Sequence, residues 1–165
     1  MTEISFELNG RPVHAHVEPS QSLIEVLRTQ AGATDVKHGC GEGVCGTCTV
    51  LLDGEPVNSC LIFAVQADGS NVTTLRGLAG DNGDRHPLQE SFLRHGGSQC
   101  GFCTPGMVLT AYWFLGENPH PTRDQIRDAL AGNLCRCTGY TKIVDAVEDA
   151  VGAVRRDREE ARHGH

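Results

Sequence analysis

The stretch 39–48 reads GCGEGVCGTC and sets Cys40, Cys45 and Cys48 in the spacing C-x4-C-x2-C, with Cys60 following a short segment later. Three thiolates from one tight loop and a fourth from outside it is the arrangement that holds a [2Fe-2S] cluster, four sulfurs on two irons. Such a loop must wrap an anionic group with its own backbone. Gly41 and Gly43 lack a Cβ, so the chain can enter left-handed conformations and turn amide N–H groups toward negatively charged sulfur. Those hydrogen bonds hold the cluster and tune its potential.

Other readings of the stretch are weaker. Gly41, Gly43 and Gly46 spell G-x-G-x-x-G, but a dinucleotide fingerprint follows a strand and opens a helix, whereas here Cys45 interrupts it. Disulfides would require an oxidising compartment. The first residues lack the basic segment and apolar run of a secretory leader, so a cytoplasmic location is expected. A zinc ribbon sets two C-x2-C pairs about 15 to 20 residues apart, and the pairs Cys45/Cys48 and Cys100/Cys103 lie much farther apart. Iron–sulfur ranks first, then zinc, then disulfides.

The chain has 165 residues, and its 8 cysteines divide evenly between the halves. That division favours two small domains, each of a size that commonly needs a metal or other staple. The net charge of -7 argues against nucleic acid as a partner, because phosphate binding needs a basic face. No run reaches the roughly 18 apolar residues of a membrane span, so no membrane association is expected of this chain.

In the first half, Ile4, Phe6 and Leu8 alternate with polar residues, Asn9-Gly10 intervenes, and Val13, Ala15 and Val17 alternate again. This predicts a β-hairpin on a type I′ turn. Ser20 or Ser22 can cap a helix over 23–29. After the cysteine loop, residues 49–52, the Asp53-Gly54 turn and Pro56-Val57 predict a second hairpin leading to Cys60, and 72–75 a closing strand. Hairpin, helix, cluster loop, hairpin and final strand is the element order of a plant-type, β-grasp ferredoxin domain, placed at 1–76. A linker is expected at 77–86, where glycines and charges replace apolar periodicity.

From Pro87 the period changes to about 3.6. Helices are predicted from Pro87 to the Gly96-Gly97 stop, over 106–115, from the Thr122 cap to about Ala131, and over a segment carrying Ile143, Ala146, Val147, Ala150, Val151 and Val154 on one face. The fold class is therefore α+β, with a C-terminal four-helix domain over 87–154 and a solvated charged tail at 155–165. Cys100, Cys103, Cys135 and Cys137 fall in the loops between helices. C-x2-C followed by C-x1-C would strain a single tetrahedral ion, whereas two irons can take adjacent thiolates separately. This predicts a second [2Fe-2S] site. A redox-active dithiol is the alternative, and it leaves Cys135 and Cys137 without a role.

With GCGEGVCGTC, SQCGFCTPGM and NLCRCTGY together, the chain resembles, over residues 4–154, the small iron–sulfur subunit of the molybdenum hydroxylases, the family of xanthine dehydrogenase, aldehyde oxidoreductase and carbon monoxide dehydrogenase. The resemblance implies the two-domain fold just described and an electron-carrying role without bond-making chemistry. It implies a large partner subunit that binds a molybdopterin-type molybdenum cofactor and a medium subunit that binds FAD, in a heterotrimer or a dimer of heterotrimers. It places the helical-domain cluster beside the pterin, with Gln99 and Cys137 at pterin-contacting positions, and the β-grasp cluster toward FAD. His38, Trp113 and Tyr140 are expected only to pack. The competing readings are a free two-cluster ferredoxin, a flavin-free relative that reduces a cytochrome, and a zinc-stabilised interaction module.

Overall fold

The computed structural model describes residues 1–80 and 82–163. Asp81 of the expected linker and Gly164 and His165 of the expected tail lie outside the described residues. Strands β1 (Thr2–Leu8) and β2 (Arg11–Val17) form the first hairpin. Asn9 and Gly10 turn it with φ of 53° and 76°, the paired left-handed residues of a type I′ turn. The alternation works as read: Ile4, Phe6, Leu8, Ala15 and Val17 are buried and their neighbours face out. Helix α1 (Leu23–Thr29) starts at Ser22, whose backbone N–H donates to Glu25 Oε2 at 3.0 Å. Its Leu23, Ile24, Val26 and Leu27 close the core over the sheet.

Strands β3 (Thr49–Leu52), β4 (Glu55–Asn58) and β5 (Asn71–Thr73) complete a five-stranded sheet in the order β2-β1-β5-β3-β4. β5 enters between the two hairpins, parallel to β1 and antiparallel to β3. It ends at Thr73, short of the expected Leu75. Asn9 takes over from the ladder: its Oδ1 accepts from Thr74 N (2.8 Å) and its Nδ2 donates to Thr74 Oγ1 (2.9 Å). Leu75–Leu78 then forms a 3-10 turn whose two leucines pack on the helical core. Part of the expected linker therefore belongs to that core.

Four helices build the second half: α2 (Pro87–Arg94), α3 (Thr104–Glu117), α4 (Arg123–Ala129) and α5 (Thr141–His163). Leu88, Phe92, Met107, Ile126, Ile143 and Val147 meet in their core. α3 begins at Thr104 rather than 106, because Pro105 lacks only an N–H that the first turn leaves unpaired anyway. α4 stops at Ala129, sooner than expected, and Thr122 Oγ1 accepts from Gln125 N to cap it. α5 runs on through the segment expected to be a solvated tail. There Arg158 lies 4.3 Å over the Tyr112 ring and donates to Tyr112 O at 2.9 Å. α3 also packs against β3 and β4, which brings the two halves together.

Candidate metal centres

The first loop leaves α1 and returns as β3, so a helix and a strand fix its ends. Glu42 donates its N–H to Cys40 Sγ at 3.3 Å. Asn58 Nδ2 donates to Gly43 O at 3.0 Å, and Ser59 Oγ to Cys48 O at 2.7 Å. These bonds attach the loop to the end of β4, where Cys60 sits. Backbone N–H of Glu42, then the Cys45 thiol, bring the Cys40 thiol down to about 6, while burial pushes Cys48 up to about 11. A deep thiol of that kind ionises only when a cation takes the proton's place, as a metal does.

The second site lies between α2 and α3 on one side and α4 and α5 on the other. Cys103 is buried at the N-terminal cap of α3, and burial pushes its thiol up to about 12. Burial acts in the same direction on Cys135, but hydrogen bonds from the Thr138 side chain and backbone outweigh it and lower that thiol. Gln99, Cys100 and Cys137 are exposed. Sharing a hydrogen bond with Cys100 raises the Cys137 thiol.

All eight cysteines are free. Cys137 Sγ is 3.5 Å from Cys100 Sγ. The Cys45 thiol acts on the ionisation of Cys40, the Cys60 thiol on that of Cys48, and the Cys135 thiol on that of Cys103. Among the described residues no three His, Cys, Asp or Glu side chains converge on one point as a single ion needs. Two pairs per site, with backbone amides directed at sulfur, fit the donor set of two irons with two thiolates each.

The two loops touch. Leu134 N–H donates to Cys45 O at 2.9 Å, and Asn133 Nδ2 donates to Gly46 O at 3.0 Å. A Cβ on Gly106 would sit 2.2 Å from Gly46 O, so only glycine lets α3 come this close.

Residues 6–74 match the family described as 2Fe-2S iron-sulfur cluster binding domain, and residues 74–148 the family described as [2Fe-2S] binding domain. The nicotinate dehydrogenase small FeS subunit of Eubacterium barkeri is 51% identical, over 90% of this chain and 94% of its own. Quinoline 2-oxidoreductase from Pseudomonas putida 86 contains a chain that superposes with a TM-score of 0.90 at 49% identity, covering 94% of this chain and 96% of that one. The chain belongs to the small iron–sulfur subunits of the molybdenum hydroxylases. In the aldehyde oxidoreductase of Desulfovibrio desulfuricans the same fold (TM-score 0.89, 44% identity, 95% of this chain) takes up 18% of a longer polypeptide. The iron–sulfur subunit is thus an electron-transfer module, found in relatives either as a chain of its own or as part of a longer one.

Sequence reading missed one contributor to this iron–sulfur subunit's second site. Tyr140, expected only to pack, holds φ at 71° and directs its hydroxyl at the cysteine loop. That hydroxyl accepts from Cys135 N at 2.8 Å and donates to Asn133 O at 3.1 Å. The signal was a phenol just beyond C-x1-C, since a partly buried Tyr hydroxyl finds a polar partner. His38 is exposed, and Trp113 is half-buried on α3.

Proposed function

We propose that this chain receives electrons from a molybdopterin-type molybdenum centre on a large partner subunit and delivers them singly to FAD on a medium partner subunit. The ligands of the first [2Fe-2S] cluster are then Cys40, Cys45, Cys48 and Cys60, and those of the second are Cys100, Cys103, Cys135 and Cys137. Bound clusters of this kind supply one-electron oxidation and reduction. The protein fixes the sulfurs, directs amides at them and keeps both sites near the surface.

One observation carries the reading. The exposed large hydrophobics among the described residues include Val44, Leu61, Phe63, Phe102 and Leu134. Each lies within three residues of a cysteine; Met1 and Leu93 do not. Exposed apolar surface gathered at a functional site is the mark of a docking face. A freely diffusing carrier has no need to surround its redox centres with it. Gln99 and Cys137 are the proposed contacts of the second site with the pterin, and both are exposed. No helix among the described residues is long and apolar enough to cross a membrane. The proposed assembly is a heterotrimer or a dimer of heterotrimers, and its proposed location is the cytoplasm.

The test is purification from the native cells with metal analysis, visible and EPR spectra, and identification of the co-purifying chains. Two distinct [2Fe-2S] signals with molybdenum, FAD and two larger chains are expected. An iron-loaded monomer without molybdenum, under conditions that preserve complexes, would establish a free ferredoxin instead.

A further inference from the structure

The proposed ligand sets explain the cysteines but not the residues that interlock their loops. Three consecutive residues carry that link. Asn133 is 4% exposed and gives its side-chain amide to Gly46 O, next to Cys45. Leu134 gives its backbone N–H to Cys45 O. Cys135 is itself a proposed ligand of the second site. Tyr140 holds both ends of the segment, accepting from Cys135 N and donating to Asn133 O. Its φ of 71° is a conformation a bulky residue rarely takes, maintained only where surrounding contacts over-determine it.

We infer that Tyr140 and Asn133 are positioning residues that fix the geometry between the two clusters. Tyr140 does so from the second site, by setting where Cys135 and Leu134 lie. Asn133 does so from the first, by anchoring the same segment to the backbone beside Cys45. The phenol also keeps the Cys135 amide from turning elsewhere, so the dipole next to that sulfur stays constant. Small changes in such dipoles and in the placement of a ligand alter cluster potential.

The inference rests on the proposed ligand assignment, and the experiment separates the two. The intact complex is prepared as wild type, Tyr140→Phe, Asn133→Ala and Thr122→Ala. The last removes a helix cap that bonds to Gln125 and not to either loop, and reports ordinary loss of stability. Iron content with two cluster signals in the wild type tests the assignment, and their absence overturns the assignment and the inference with it, whereas their presence leaves the variants to decide the inference. EPR of the doubly reduced protein reads the magnetic splitting between clusters, redox titration reads each potential, and hydrogen exchange reads the Cys135 amide. Tyr140→Phe is expected to speed Cys135 exchange about fivefold, the loss of one ordinary hydrogen bond. It should also shift the second cluster's potential and broaden the splitting, with the first cluster's g values unchanged. Asn133→Ala is expected to alter the splitting as well. Wild-type splitting in Asn133→Ala, or changes reproduced by Thr122→Ala, would overturn the inference. If Tyr140→Phe retains too little iron to titrate, the Asn133→Ala splitting alone decides.

Discussion

The backbone N–H of Leu134 donates to Cys45 O across 2.9 Å, so the residue before Cys135 of the second site is bonded to a cysteine of the first. A backbone pair of this kind needs no particular side chain at Leu134. It needs the two loops brought to one place, which α3 achieves by packing on β3 and β4. The sheet and the helices have separate cores, yet the loops they carry meet.

Replacing Cys45 by Ser should remove or weaken the first cluster and lower iron toward half, with the second cluster's EPR signal retained. A domain of this size with part of its core facing a metal loop loses stability with the metal, so the β-grasp half should also become more protease-sensitive. In the proposed assembly, substrate should still reduce molybdenum while delivery to FAD falls. Unchanged signals and turnover would disprove Cys45 as a ligand.

His86 makes stability pH-dependent in a definite direction. It is 6% exposed, accepts from Leu88 N at 3.2 Å through Nδ1, and faces Asp157, Arg158 and the edge of Tyr112. Burial lowers its folded pKa below the ordinary 6.5, although Asp157 pulls the other way. The unfolded chain therefore binds the proton more readily, so stability is full above that ordinary value and falls as pH drops through the folded one. His86→Asn, which keeps a helix-capping side chain, should flatten the decline in Tm between about pH 7 and 5. An equally steep decline in the variant would show that other groups set it.

Much of this was legible in the sequence because it is local. The Asn9-Gly10 turn and the limits of α1 follow from short spacings and periods of two or 3.6. The contacts between loops were not, since Asn133 and Gly46 are 87 residues apart. No local rule brings them together. Tyr140 was missed for a related reason: its role depends on a left-handed φ that sequence rules reserve for Gly or Asn. The end of β5 was misplaced because Asn9, across the sheet, supplies the bonds that a further strand residue would have made.

Arg158 shows how a charged run can mislead. In the sequence it belongs to a polar tail, but it lies over Tyr112 and against Gly116, where a Cβ would come 1.6 Å from its Nη1. Arg158→Ala should cost about 1 kcal/mol, from one lost hydrogen bond and one cation–π contact. It should also increase hydrogen exchange in the last turns of α5. Unaltered Tm and exchange would mean that the stack adds nothing in solution.

Two glycine substitutions in helices should act in opposite directions. At Gly106 an added methyl meets Gly46 O at 2.2 Å, a backbone atom that cannot rotate away, so α3 and the first loop must separate. Overpacking of this kind costs about 1–3 kcal/mol, and the displacement falls on the residue next to Cys45. At Gly152, inside α5, the nearest heavy atom is the flexible Arg156 Nη1 at 3.6 Å, an ordinary contact. Alanine there is free of strain and helix propensity favours it by about 1 kcal/mol. Gly152→Ala should therefore raise Tm with both cluster signals intact. Gly106→Ala should lower Tm and perturb the first cluster's spectrum. If both substitutions moved Tm the same way, the close approach of α3 to the cluster loop would not be what makes Gly106 necessary.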